Sequence, residues 1–573
     1  MSNSIIVFNA TKRGASHVKK GTVCQDYSLS YNSPDGNVQV AIVCDGHGGD
    51  TYVRSDVGSR LAAEIALANI QGFVANTPAQ LFLGKKGAVT SHPKDEEAAL
   101  NAPKKDPAKM TDTELQRYQQ EQDFFKQVAD LREQDQQMTM LFGRIYMQWL
   151  QAIEKHATEH PFNDHEQTML GSIYQKWMID RQNGLSGFGT RIVKAYGSTL
   201  MAFVRTPLYW FAFHIGDGKL MACNEALEWF EPVPWDYRCF LNVTTSLCDG
   251  SPIGEFRYAF NGLGDFPVAV IMGSDGLDDS WGNFERLANF YSQTLGIFHD
   301  QGKDKAVSDL EEFLPKLSAK ASQDDMSMAG IIDTDLLKTG VEAYRKEREI
   351  RELIAERQKR TAELDNVKKQ LSDLDQKLTA ITEEKAKAEK ERFSIMNLLK
   401  KHDSDLQEIE ERISEATSQR DQAQENLQME NEAYNNWVSE NQQRYDDLKK
   451  EVEEMKANAK KEGHHVKQDW ERLSEQYLTD DNQRRMEALQ QRSQDMEAYT
   501  EEALVLLNKD PEEQKEPEDT TENPDTQENS VTQENLDTSE NPGIPENPDT
   551  PENPDTLEES VLTDNPEAPN PQL

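Results

Sequence analysis

The residues with the most chemical potential in this chain are aspartates at the ends of apolar runs. The stretch VAIVCDGHGGD carries Asp45 directly after five apolar residues, followed by Gly46, His47, Gly48, Gly49 and Asp50. Four further acidic clusters follow or interrupt strand-like runs. They are CQDY with Asp26, HIGDGKL with Asp217, IMGSDGLDD with Asp275 and Asp279, and QDDMSMAGII with Asp324 and Asp325. A single aspartate in such a place is commonly a turn former or a helix cap. A carboxylate there is also partly removed from water, which is costly unless something compensates it. Several such places in one region point to a shared partner. A hard divalent cation, Mg²⁺ or Mn²⁺, suits donors of this kind, since both take carboxylate, backbone carbonyl and water oxygens. No Cys/His cluster has zinc-ligand spacing.

The elements that must position these aspartates lie in the first 335 residues, which hold nearly all the β-branched and aromatic runs and all five cysteines. Residues 1 to about 72 alternate short strands with turns and then give a helix over Ser55–Ile70. Strand-like runs resume at YGSTLMAFV, LYWFAFHIGDGKLMA and FPVAVIMGSDGL and end at DDMSMAGII. Between them, about 73–185 reads as an insertion in which basic, proline-containing loops lead into a Gln/Glu-rich helix. Tyr209-Trp210-Phe211 and Trp281 read as core. His156, His160 and His165 read as a solvated helix end, because Pro161 interrupts their spacing. Ser198-Thr199 lacks a nucleophile-elbow pattern and reads as strand packing beside the aspartates.

The remainder is of another character. From Ile350 to Leu427 one 3-4 apolar spacing can be laid without a proline, through Leu364, Val367, Leu371, Leu374, Leu378 and Ile381 and on to Leu406, Ile409 and Ile413. That pattern predicts a coiled coil over 341–508. As one helix the spacing would reach on the order of 100 Å. The phase changes after Leu427, which would suit the turn of a helical hairpin, and Gly463-His464-His465 reads as a break. Residues 509–573 repeat Glu-Asn every six residues from Glu522 to Glu552 among Pro, Asp and Thr, with no Lys or Arg after Lys515. Such a segment buries too little apolar surface to offset its ordering entropy and reads as a disordered acidic tail.

The net charge of −41 disfavours nucleic acid and anionic membranes as partners. An odd number of cysteines without a C-x-x-C pair reads as free thiols in a reducing compartment. No apolar run approaches a membrane span. A cytoplasmic protein is expected.

In order along the chain, GASHVKKGTVCQDY, VAIVCDGHGG, YGSTLMAFV, HIGDGKL, IMGSDGLDD and QDDMSMAGI resemble the successive motifs of the metal-dependent protein phosphatases, the type 2C serine/threonine family. The resemblance covers roughly residues 6–334 and implies an α+β fold for 1–335, a four-layer α/β/β/α sandwich of two antiparallel sheets flanked by helices. It implies two, or with a weaker site three, Mn²⁺ or Mg²⁺ ions. Asp45 would bridge two of them and the Gly46 carbonyl would bind one. Asp275 and Asp324 would complete a shell, and Asp26 would act through water. Asp217, with Asp279, would match the third site. The implied reaction is hydrolysis of phosphoserine or phosphothreonine in a protein substrate by a metal-activated water, with His47 protonating the leaving oxygen. Two departures stand out. The family usually has Glu-Asp where this chain has Gln25-Asp26, and its phosphate-gripping Arg would fall at Gly21. His17, Lys19, Lys20 or Arg13 would take that Arg's place. The coiled coil would serve oligomerisation or partner docking. Those departures also motivate an alternative, a non-catalytic phosphatase-like binding module on a coiled-coil scaffold.

Overall fold

The computed structural model describes residues 4–91, 110–183, 191–236, 238–239, 243–394 and 399–507. Its strands are β1 (Ile5–Lys12), β2 (Tyr27–Asn32), β3 (Gln39–Cys44), β4 (Lys86–Val89), β5 (Leu200–Arg205), β6 (Trp210–Ile215), β7 (Lys219–Cys223), β8 (Trp229–Phe230), β9 (Arg257–Asn261), β10 (Ala269–Gly273) and β11 (Met326–Asp333). The helices are α1 (Ala15–Lys20), α2 (Ser55–Asn76), α3 (Asp112–Asp130), α4 (Arg132–Glu159), α5 (Asp164–Leu170), α6 (Ser172–Gln182), α7 (Asp275–Trp281), α8 (Phe284–Lys320), α9 (Leu337–Ser394) and α10 (Leu399–Leu507).

Two sheets form, ordered β1-β11-β10-β7-β8 and β2-β3-β5-β6-β9-β4, and their strand pairs are antiparallel. The uninterrupted apolar run of β3 follows from burial on both faces. Val40, Ile42 and Cys44 face the helices, while the alternate residues Ala41 and Val43 meet Met201, Ala222, Val270 and Ile331 between the sheets. Outside the six-stranded sheet, α2 and α4 supply a helical layer. Outside the five-stranded sheet, Leu287, Phe290 and Leu295 of α8 pack on Phe8, Ile271 and Met328. The result is the α/β/β/α order that the motifs imply.

Part of the stretch read as an insertion belongs to this core. Met138, Leu141, Phe142, Ile145 and Trp149 of α4 are buried in the helix-side core. The Trp149 indole N–H donates to Gly58 O at 3.0 Å. Lys86–Val89, within the first of the expected loops, pairs with β9 as an edge strand. The second loop, from Asn101, lies outside the described residues apart from its end.

The long helical region departs from the single seam drawn on the sequence. Helices α9 and α10 run antiparallel, joined by ion pairs such as Glu349–Arg444 at 3.1 Å, Asp375–Arg420 at 3.1 Å and Lys385–Glu410 at 2.9 Å. Leu427 lies inside α10 and not at a turn. The apolar spacing continues through both arms of the hairpin and so hides where one arm gives way to the other. Gly463-His464-His465 does not break α10. Instead Gly463 lets the helix lie against Glu225, whose carboxylate a side chain there would strike.

Residues Met1–Gln490 form one compact unit. Of the second, Gln491–Leu573, the described part is the last stretch of α10, to Leu507. The expected disordered tail lies outside the described residues. No described helix is long and apolar enough to cross a membrane.

Helix α10 returns to the sandwich on specific contacts. The Trp470 indole N–H donates to Leu208 O at 2.8 Å, Lys467 pairs with Asp265 at 2.8 Å, and Leu473 and Tyr477 pack on the helix-side core. Trp470→Ala removes the largest of these, a loss on the order of 2 kcal/mol for a half-buried indole. Amide hydrogen exchange should then quicken across 460–485 while β3, β5 and β6 stay protected. Unchanged exchange in α10 would show that Trp470 does not hold it.

Candidate metal centre

The aspartates named from the sequence gather at one end of the sandwich. Asp45 follows β3, Asp26 precedes β2, Asp217 sits in the β6–β7 turn, Asp275 opens α7 directly after β10, and Asp324 lies just before β11. Antiparallel order explains the gathering, since strand ends and strand starts alternate along the same edge. The backbone around Asp45 is fixed from β5: its N–H donates to Thr199 Oγ1 at 2.9 Å, and its carbonyl accepts from Thr199 N–H at 2.8 Å. Gly46 then passes so close to the carbonyls of Gln25 and Ser55 that a Cβ would collide with both. The first glycine of the D-G-H-G-G turn is therefore a steric requirement.

These carboxyls repel one another. Burial and the charges of Asp275 and Asp26 hold the Asp45 carboxyl well above the usual range. Asp26 is raised in the same way, by burial and then by Asp325 and Asp275. Asp217 is pushed up to about 6 by burial and Asp275. Asp279 and the rim residue Asp324 are raised by partial burial and Asp275. One oxygen of Asp26, Oδ2, is buried without a hydrogen-bond partner. Among the described residues, no lysine or arginine forms an ion pair with Asp26, Asp45, Asp217, Asp275 or Asp324. Nor do three such groups already stand close enough to hold an ion. An all-oxygen donor set with an orphaned buried carboxylate oxygen fits a hard divalent cation. Without one, protonation is what relieves repulsion among buried carboxyls.

His47 is held on three sides. Its N–H donates to Gly197 O at 3.1 Å, its Nε2 lies 2.6 Å from Ser246 Oγ, and Tyr52 meets the ring edge-on at 5.0 Å between centroids. Burial lowers its pKa to about 4, against the opposing charge of Asp275, so the ring is neutral at pH 7 in this arrangement.

The residues expected to replace the missing Arg are dispersed. His17 Nδ1 pairs with Asp325 at 2.9 Å. Arg13 donates to Thr22 O at 3.2 Å, and Lys19 and Lys20 stand exposed at the end of α1. Sequence reasoning did not single out Lys194, whose ammonium lies 5.8 Å from the Tyr52 ring centre. It also passed over Tyr52, which meets the ring of nearby His47, and Ser246, which meets the same ring from 199 residues away in sequence. His156 and His160 stack with ring centroids 4.3 Å apart, and His156 meets Tyr196 OH at 2.9 Å. Arg54 ties that helix end down through Glu166 at 2.7 Å, so this histidine pair belongs to packing.

Asp217 yields a test with a defined sign. A carboxyl at about 6 in the fold against an ordinary 3.8 favours the protonated folded state. Its stability contribution is full below about pH 4, is lost between about pH 4 and 6, and stays lost at higher pH. In EDTA, Asp217→Asn should raise the melting temperature at pH 7.5, by up to about 3 kcal/mol of stability, and leave it unchanged at pH 4. An equal effect at both pH values would contradict the buried-charge reading.

The family model "Protein phosphatase 2C" matches residues 13–315. Among solved structures, a bacterial serine phosphatase is 10% identical, over 57% of this chain and 98% of its own, with a TM-score of 0.28. A serine/threonine phosphatase of S. agalactiae is 12% identical over 57% and 99%, with a TM-score of 0.27. PppA, a key regulatory component of T6SS in Pseudomonas aeruginosa, is 15% identical over 57% and 97%, with a TM-score of 0.29. No curated protein matches the chain.

Proposed function

Since the chain belongs to the protein phosphatase 2C family, we propose that it removes phosphate from serine and threonine side chains of proteins and depends on Mn²⁺ or Mg²⁺ to do so. The observation that carries this reading is the set of uncompensated carboxyls, Asp45, Asp26, Asp275, Asp324 and Asp217, at one end of the sandwich. The family is metal-dependent. Asp45, the Gly46 carbonyl, Asp275 and Asp324 would hold two ions, Asp26 would act through water, and Asp217 with Asp279 would serve a weaker third site. The bound ions supply positive charge against the phosphoryl oxygens and acidify a water for in-line attack on phosphorus.

The chain's own groups supply the rest. Ser246 and Tyr52 orient the His47 ring, which delivers a proton to the departing serine or threonine oxygen, while the Gly197 carbonyl holds the backbone N–H of His47. Burial disfavours the protonated ring, and the approach of a phosphate dianion favours it. The Gln25 amide donates to His47 O at 3.1 Å and Ser55 Oγ at 2.6 Å, fixing the turn that carries both Asp45 and His47. Lys194, exposed beside Tyr52, meets the negative charge of the substrate, and the exposed Lys19 and Lys20 add to the positive field. The helical hairpin fills its own seam, so a partner would dock on its outer faces.

The decisive measurement is hydrolysis of a phosphothreonine peptide and an aryl phosphate by the full chain, with Mn²⁺ or with EDTA. Turnover should require the metal, and Asp45→Ala should lower it at least about 100-fold. Absence of Mn²⁺-dependent turnover alongside retained phosphopeptide binding would instead assign a non-catalytic binding module. His47→Ala should slow an alkyl phosphate more than an aryl one, whose leaving group scarcely needs a proton. Lys194→Ala should raise KM for the peptide several-fold with little change in kcat, and Lys194→Arg should restore it. A kcat loss without a KM change would remove Lys194 from substrate binding.

A further inference from the structure

Gln25 and Asp325 sit at a junction that the family pattern does not explain. Position 25 carries a neutral amide where a carboxylate is usual. Its side chain turns away from the aspartates, spending its N–H groups on His47 O and Ser55 Oγ. A glutamate in the same pose would have no hydrogen to donate to that carbonyl. The backbone N–H of Gln25, however, donates to Asp325 Oδ2 at 2.6 Å. The other oxygen of that carboxylate accepts from Gly14 N–H at 2.6 Å, and His17 Nδ1 lies 2.9 Å from Oδ2. The Asp325 side chain is 2% exposed. One buried carboxylate therefore gathers both ends of the segment from Gly14 to Gln25, whose next residue is Asp26, and ties them to the segment bearing Asp324.

We infer that Asp325 is a positioning residue for the metal centre, fastening Asp26 and Asp324 into one unit and supplying, from the other side of the junction, the negative charge that Gln25 lacks. This rests on the metal-dependent reading above. The argument has a geometric part and an electrostatic part. Two short N–H···O⁻ bonds from separate points of the N-terminal loop leave its last residue little freedom, so Asp26 is presented at a fixed depth. The charge is also near enough to matter, since the N–H that Asp325 Oδ2 accepts at 2.6 Å belongs to Gln25, the residue directly before Asp26. A cation drawn to Asp26 therefore also feels Asp325, though Asp325 already accepts from two backbone N–H groups and need not touch the ion.

The test is Asp325→Asn, which keeps the shape and one acceptor oxygen but removes the charge. It is measured on the full chain by isothermal titration with MnCl₂ alone, beside thermal unfolding in EDTA. The variant is expected to bind Mn²⁺ on the order of 10-fold more weakly, as for partners outside the direct ligand set. Asp325→Asn combined with Gln25→Glu, which returns a carboxylate to the junction, is expected to recover most of that loss. Gln25→Glu alone should not improve on wild type, because it costs the donor to His47 O. Equal Mn²⁺ affinity in wild type and Asp325→Asn would overturn the inference while leaving the metal-dependent reading intact. Absence of Mn²⁺ binding in wild type would overturn that reading instead. Should Asp325→Asn unfold in EDTA at the assay temperature, Asp325→Glu serves, keeping the charge while lengthening the reach. It is then expected to bind Mn²⁺ nearer to wild type than Asp325→Asn refolded with excess MnCl₂, and equal weakening in the two would exclude the electrostatic part.

Discussion

The structure turns on the mutual repulsion of carboxyls that the sandwich forces together. Burial and neighbouring charges raise the Asp45 and Asp26 carboxyls together, with Asp275 acting on both. The cost of holding them there is met by the rest of the fold. The sheets, with both faces buried, fix the strand ends whatever the charges at their tips prefer. A positively charged occupant relieves that cost, because the like-charge repulsion that raises a carboxyl's pKa in its absence favours a cation in its presence. That repulsion and the cation affinity thus have one source.

Precision at such a site comes from backbone rather than from side chains. Thr199 clasps Asp45 through both main-chain groups, and Gly46 threads between the Gln25 and Ser55 carbonyls. Gln25 holds the His47 carbonyl, and Asp325 holds Gly14 and Gln25. Loops that contribute one functional side chain each are in this way stitched to one another, not merely to the sheet beneath them. Shifting any one loop would strain at least two hydrogen bonds in another.

How far the sequence anticipates this arrangement depends on the range of the interactions concerned. Asp45, Asp217 and Asp275 were legible because a charge at the end of an apolar run is a local anomaly. The layered sandwich was legible through the family motifs and the two-sided burial of runs such as VAIVC. Ser246, Tyr52 and Lys194 carry no local signal, since their roles depend on contacts with His47 or its neighbour. Asp325 was visible only as half of an Asp-Asp pair, and its separate duty depends on Gly14, some 300 residues away in sequence. The core role of α4 was obscured by its many glutamines, although Met138, Leu141, Phe142, Ile145 and Trp149 trace its buried face. The hairpin turn escaped because antiparallel helices pack with the same apolar spacing as a continuous coiled coil.

The attachment of the hairpin follows from the same topology that builds the site. In an up-and-down sandwich the β6–β7 turn, with Asp217, and the β5–β6 turn, with Leu208, lie at opposite ends of β6. Helix α10 takes the second, through Trp470 to Leu208, Lys467 to Asp265 and Lys460 to Glu228. Further along, Tyr477 OH accepts from Ala79 N–H at 3.3 Å and Gln80 donates to Asp481 at 2.5 Å. The carboxyl-rich end is left clear of these contacts. A protein substrate can therefore approach one end while the arm is held at the other, without competition for the same surface. The attachment is also mixed in kind, one indole among exposed ion pairs. Salt weakens exposed pairs and leaves the apolar contact in place. Trp470 and its neighbours Leu473 and Tyr477 therefore set whether α10 stays docked, and the lysines set the register in which it docks.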